Sequence, residues 1–220
     1  MMSHKHKCIF IHIPKTAGTS IEKKLGHFKQ LKRGVQDHRT IREMEPIPFG
    51  DLAKLTLKGH FALSRNHIKK MIKGQIPISR QQYNTYFKFA FVRNSWSRVF
   101  SWYKNVMRDD NHKKRFGVSD KCSFKEFLKN HMDQWELTTQ LFWITDKQGQ
   151  IPMDFIGRFD NLEDDFSHVT DVLGIKDKSL PKLLAGDNQH YSQFYDEEMK
   201  DIVYRKYRDE IALFKFEFCE

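Results

Sequence analysis

Short, wholly apolar runs alternate along this chain with longer stretches whose apolar residues recur at helical spacing. The runs at Cys8 to Ile13, Leu55 to His60, Tyr86 to Val92 and Asp154 to Phe159 read as buried strands. In "NSWSRVFSWYKNVM", Trp96, Val99, Phe100, Tyr103, Val106 and Met107 fall on one face, which predicts a helix directly after the third run. Met199, Ile202, Val203, Tyr207, Ile211 and Phe214 repeat the pattern in a long closing helix. Strands alternating with helices predict an α/β fold with a mainly parallel central sheet.

Helix starts are marked by hydroxyl or carboxyl residues followed at the fourth position by glutamate: Thr19 with Glu22, Ser123 with Glu126, and Asp160 with Glu163. Residues 108–121, "RDDNHKKRFGVSDK", are charged and aperiodic, and predict an exposed loop.

With 220 residues, 39% of them hydrophobic, the chain can fill one core, so a single domain over 1–220 is expected. Its net charge of +10 favours anionic partners without choosing among phosphates, glycans, nucleic acid and acidic membranes. Cys8, Cys122 and Cys219 are too far apart for a disulfide framework or a metal cluster and fit a reducing compartment. The opening "MMSHKHKCIFIHIPK" has too short an apolar run for a signal peptide or a membrane span, so its basic residues are expected in a solvated tail and the protein in the cytoplasm.

The chemistry concentrates in "FIHIPKTAGTSIEKKL". A strand, a turn over Lys15, Thr16, Ala17, Gly18, Thr19 and Ser20, and then a helix would gather backbone N–H groups around one point, which suits a phosphate-like anion. Lys15 would add a mobile charge, and Thr16, Thr19 and Ser20 hydroxyls. The arrangement is P-loop-like in a three-layer α/β/α frame, but the lysine precedes the only glycine, unlike the nucleoside triphosphate loop in which it follows one. A second anion site is expected where "FKFAFVRNSWSRVFSWY" delivers Arg93 to the end of a strand, with Ser101 two turns along the next helix on about the same side. Two such sites at neighbouring strand ends suit one ligand with two separated phosphate groups.

These two stretches resemble the 5′-phosphosulfate loop and the 3′-phosphate motif of sulfotransferases that use 3′-phosphoadenosine-5′-phosphosulfate. The closest pattern is that of carbohydrate sulfotransferases, including Golgi uronyl 2-O-sulfotransferases and their soluble bacterial relatives. "DFIGRFDNLEDDFSHVTDVLGI" and "YDEEMKDIVYRKYRDEIALFKFEF" are similar to later segments of the family. The resemblance implies that Lys15, Thr16, Ala17, Gly18, Thr19 and Ser20 hold the donor's 5′-phosphosulfate and that Arg93 and Ser101 hold its 3′-phosphate. Where the family frequently has proline and aspartate after the arginine-asparagine pair, this chain has Ser95 and Ser97. Further donor contacts are expected from "KLLAGDNQHYSQFY" before the last helix.

The implied reaction is in-line transfer of a sulfuryl group to an acceptor hydroxyl of a glycan or glycolipid, with no required metal and no nucleic acid. Lys15 would neutralise the leaving phosphate. His60, in a Gly-His segment resembling that of the 2-O-sulfotransferases, is the first candidate base, His38 the second, and Glu22 a third. His12 reads as a packed core residue, and Arg158 and Asp160 as supports at a strand end. The competing readings are a P-loop phosphotransferase, which would require magnesium, and a non-catalytic polyanion-binding protein, for which the basic run 112–115 is the feature. Lys113, Lys114 and Arg115 in that run are alternatively acceptor contacts.

Overall fold

The computed structural model describes residues 1–27, 36–46, 78–181 and 190–219. Its centre is a four-stranded sheet in the order β1 (Met2–Ser3), β2 (Cys8–Ile11), β3 (Phe87–Val92) and β4 (Phe155–Arg158). β2 pairs with β3 and β3 with β4 in parallel, while the short β1 runs antiparallel to β2. The opening residues are therefore not a free tail, because Met2 and Ser3 pair with Ile9 and Cys8. The expected strand at Leu55 to His60 lies outside the described residues.

Alternating side chains on the two central strands build two cores, one on each face. Ile9, Ile11, Ala90 and Val92 point to one face, where they meet α4 (Ser95–Arg108), α6 (Phe124–Asn130) and α9 (Glu197–Phe214) through Val99, Phe127 and Val203. Cys8, Phe10, Phe89 and Phe91 point to the other, against α1 (Gly18–Lys24) and α8 (Leu162–Val172) through Ile21, Phe166 and Val169. Helices thus cover both faces of a mostly parallel sheet, which is why β2 and β3 read as continuous apolar runs.

The remaining helices are α2 (Ile41–Met44), α3 (Arg80–Thr85), α5 (Asp110–Phe116) and α7 (Gln140–Ile144). α5 replaces the loop expected over 108–121. Asp109 caps it by accepting from the Asn111 and His112 amides, and Gly117 closes it at φ +63, so capping makes a helix where apolar periodicity gave no sign of one.

Of the three expected capping boxes, only Ser123 with Glu126 forms. α1 begins instead at Ala17, without a side-chain cap, which puts Thr19 inside the helix and frees Glu22 to be wholly buried. α8 begins at Asn161, also uncapped, and Asp160 belongs to a 3-10 turn before it.

Candidate active site

The carboxyl ends of β2 and β3 open into a cleft of about 1050 Å³. One wall is the turn after β2. Lys15 (φ +71) and Ala17 (φ +64) both occupy the left-handed region, at a cost of about 1–2 kcal/mol each for residues bearing a Cβ. Between them the wholly buried Thr16 donates its hydroxyl to the Ile13 carbonyl at 2.9 Å, which ties the turn to the strand end. Thr16 therefore spends its hydroxyl within the protein, whereas Lys15, Ala17, Gly18, Thr19 and Ser20 line the cleft.

The second wall is the turn after β3. Arg93 lines the cleft with its guanidinium stacked over the Phe159 ring at 4.0 Å, and its Nε donates to Ser97 Oγ at 2.9 Å. Its Nη1 donates to the Lys15 carbonyl at 3.3 Å, joining the two turns. Burial lowers the Arg93 pKa to about 10, with Arg98 adding to the effect and Asp160 opposing it, so the group stays cationic at neutral pH. Ser101 lines the same cleft from α4.

Asn94 begins α4 by accepting from the Trp96 and Ser97 amides at 3.1 and 3.4 Å. Ser95 donates to Glu210 at 2.7 Å. The two serines that depart from the family pattern thus have defined work, one anchoring α4 to α9 and the other orienting Arg93.

Lys15 Nζ donates to Asn105 Oδ1 at 3.4 Å. Burial, then the charges of Arg93 and Arg108, lower its pKa to about 8. Two cations held this close, with mutual repulsion lowering the lysine's proton affinity, make a strongly positive floor whose natural complement is an anion.

The histidines divide. His60 lies outside the described residues. His38 lines the cleft; its Nδ1 donates to the His12 carbonyl at 3.0 Å, which leaves the lone pair on Nε2, 2.9 Å from Oε1 of the Gln36 side-chain amide. The same amide contacts Thr19 Oγ1 at 2.6 Å. Burial, and then His12, push the His38 pKa down to about 4. His12 is only 3% exposed, as expected of a core residue, yet it too lines the cleft, with its ring 4.2 Å from that of His38. Its Nδ1 lies 3.1 Å from Glu22 Oε1.

Spacing along the chain hid several residues that build this site. Gln140 receives the Arg93 amide at 2.8 Å and donates to the Arg93 carbonyl at 2.8 Å, clamping that residue's backbone from both sides. Glu210 of α9 in turn accepts from the Gln140 amide, from Gln140 Nε2 and from Ser95. Trp102, His112, Arg115, Trp135 and Glu136 also line the cleft, as does the segment Lys178 to Pro181. Arg158 donates to the Phe214 carbonyl at 3.0 Å, a support for the end of α9. Among the described residues no cluster of His, Cys, Asp and Glu is arranged to hold a metal, and no helix is long and apolar enough to cross a membrane.

A protein described as uncharacterized from Archaeoglobus fulgidus is 28% identical over 114 residues, which cover 52% of this chain and 89% of that one. No solved structure matches the chain. The family model described as Sulfotransferase family matches residues 1–217, a span that includes both cleft-lining turns and the helices that clamp them. The chain belongs to the sulfotransferase family.

Proposed function

We propose that residues 1–220 act as one domain that moves a sulfuryl group from 3′-phosphoadenosine-5′-phosphosulfate to a hydroxyl of a glycan or glycolipid, with a histidine as base. The observation that carries this reading is the convergence of Lys15 and Arg93, from two different strand ends, on one cleft, with Arg93 donating to the Lys15 carbonyl. A nucleotide with phosphate groups at both ends of its ribose needs two cationic subsites a fixed distance apart, and parallel strand ends supply that spacing.

The residues fit such a donor. Lys15 with Ala17, Gly18, Thr19 and Ser20 would hold the 5′-phosphosulfate, while Arg93 and Ser101 would hold the 3′-phosphate. The cleft volume is of the size that takes a ligand of this bulk. When bound, the donor supplies an activated sulfur and a phosphate leaving group. Lys15 then meets negative charge growing on the bridging oxygen, a task in which a preorganised donor typically contributes roughly 10²- to 10³-fold in rate. With its pKa lowered only to about 8, Lys15 is still mostly charged at neutral pH, and its hydrogen bond strengthens as that charge grows.

Titration calorimetry with adenosine 3′,5′-bisphosphate, without metal, tests the donor site. Micromolar binding that is lost in Arg93→Ala is expected. Transfer of labelled sulfate to unsulfated uronic-acid polysaccharides and to glycolipids tests the acceptor class. Absence of nucleotide binding by the wild type would overturn the reading.

A further inference from the structure

We infer that the proton-accepting histidine of this site is His12, held in position by the buried carboxylate of Glu22. The inference rests on the sulfotransferase reading above and assigns a role to a pair that reading leaves unused.

Four observations carry it. First, His12 directly follows β2, a strand buried at every position, and precedes the turn that carries Lys15, and it lines the cleft. Second, Nδ1 lies 3.1 Å from Oε1 of the wholly buried Glu22, a close ion-pair contact rather than an aligned hydrogen bond, and has no other partner among the described residues; Oε1 also accepts the Asp37 amide at 3.0 Å. A buried carboxylate beside one ring nitrogen fixes the proton there and leaves the lone pair on the other. Third, Nε2 has no hydrogen-bond partner among the described residues, and His12 contributes to the lining of the cleft although it is only 3% exposed. Fourth, the position of α1 depends on this ring: a Cβ at residue 18 would lie 2.2 Å from His12 Nε2 and 1.9 Å from Cδ2, so only Gly18 allows the anion turn to sit directly on the imidazole.

His38 is the competing base: its Nδ1 donates to a carbonyl rather than standing beside a carboxylate, and its Nε2 lies against Gln36 Oε1. Its contacts make it a neighbour that packs on His12 and is fixed by the His12 carbonyl.

The electrostatics agree with this division of protons. Burial lowers the His12 pKa, against the opposing pull of Glu22. Burial would raise the Glu22 pKa, but His12, the Asp37 amide and the Met1 amino group outweigh it and keep the carboxyl below its ordinary range. The pair is therefore neutral imidazole beside ionised carboxylate. The other charged or titratable groups facing it are the Met1 amino group and, from the 36–46 segment, Asp37, His38 and Arg39, with His27 beyond Glu22.

In the reaction, Nε2 takes the proton of the acceptor hydroxyl as that oxygen bonds to sulfur. The bond from sulfur to the 5′-phosphate oxygen breaks, and its electron pair goes to that oxygen beside Lys15. Glu22 stays ionised throughout and stabilises the imidazolium formed on His12.

The test combines two measurements on the full chain. Long-range proton–nitrogen NMR of the histidine rings, with and without adenosine 3′,5′-bisphosphate, reads the tautomer directly. His12 is expected as the Nδ1-protonated form, with Nε2 titrating below the ordinary imidazole value of about 6.5. Turnover of the sulfuryl donor, with water as acceptor, is then followed against pH. His12→Gln should lose about 10²- to 10⁴-fold in rate while binding adenosine 3′,5′-bisphosphate within about threefold of wild type. Glu22→Gln should lower the rate and move its acid limb to lower pH, because the charge that raises the His12 pKa is gone. Merely structural residues would change affinity and stability but not that limb. An Nε2-protonated His12, or a His12→Gln enzyme with wild-type turnover, would overturn the assignment. Failure of the wild type to bind adenosine 3′,5′-bisphosphate would instead overturn the sulfotransferase reading on which it rests.

Discussion

The Arg93 guanidinium donates to the main-chain carbonyl of Lys15 at 3.3 Å, so each of the two cleft-lining turns holds the other in place. The Lys15 turn stores left-handed strain at two residues and needs such outside contacts to persist. Arg93→Lys keeps a charge but loses the fork that simultaneously reaches Ser97, the Lys15 carbonyl and the cleft. One charge-assisted hydrogen bond contributes about 1.5–3 kcal/mol, so adenosine 3′,5′-bisphosphate should bind roughly 10- to 150-fold more weakly to this variant. Calorimetry at fixed salt reads the change, and an unaltered dissociation constant would rule out this role for Arg93.

If the cleft holds the proposed nucleotide, Lys15 should make its binding pH-dependent. Its pKa in the unliganded protein is lowered to about 8, chiefly by burial, and an anion at its Nζ would raise it again. Binding therefore takes up a proton above pH 8: affinity is greatest below that pH and falls as pH rises through it, by up to about tenfold per unit. Phosphate groups finish their second ionisation near pH 6, so the ligand's own titration does not mask the effect between pH 7.5 and 9. Lys15→Met should bind more weakly at pH 7.5 and with little slope across that range. A wild-type profile as flat as the variant's would refute the coupling.

Gly18→Ala should be among the most disruptive single changes in the protein. Its new Cβ would fall within 2.5 Å of three atoms of the His12 ring, which is confined by Glu22 on one side and His38 on the other. Overpacking of this kind typically costs about 1–3 kcal/mol, and here it must also displace either the imidazole or the start of α1. Denaturant unfolding measures the first effect and nucleotide affinity the second. Wild-type values of both would mean that the turn is far looser than its contacts imply.

How much of this was legible depended on whether the cause was local. β2, β3 and α4 were readable because buried parallel strands leave unbroken apolar runs and a half-buried helix leaves a stripe. Lys15 and Arg93 were readable because strand ends deliver them. The Glu22 reading failed for a physical reason: Thr19 and Glu22 have capping-box spacing, but the helix starts at a left-handed Ala17, and Glu22 turns inward to His12. The clamp formed by Gln140 and Glu210 on Arg93 joins three distant segments, so no local pattern carries it. α5 was missed because the caps at Asp109 and Gly117, not a buried face, define it, and none of its residues is buried.

That clamp has a measurable consequence. Gln140→Ala would leave the Arg93 amide and carbonyl without the side chain that satisfies both, and would remove a partner of the buried Glu210 carboxylate. Unsatisfied buried groups cost about 1–3 kcal/mol each. The variant should thus unfold at lower denaturant and bind adenosine 3′,5′-bisphosphate more weakly, although Gln140 itself is wholly buried and does not line the cleft. Lost stability with unchanged affinity would show that Arg93 keeps its place without the clamp.

The basic run at 112–115 separates into groups with different expected roles. Lys113 is tied to Asp110 at 2.8 Å and to Asp120 at 2.5 Å, so its charge is answered within α5 and the turn that follows. Arg115 lines the cleft next to Trp102 and the half-exposed Trp135, with the Glu136 carboxylate 3.7 Å away. An exposed tryptophan beside an arginine at a cleft mouth suits the apolar face and the carboxylate of an acidic sugar. With an unsulfated uronic-acid polysaccharide as acceptor, Arg115→Ala should raise the acceptor KM several-fold with little change in kcat, whereas Lys113→Ala should leave both unchanged. Equal effects of the two substitutions would mean that the run acts only as diffuse positive charge, and raising the salt concentration would then abolish the difference from wild type.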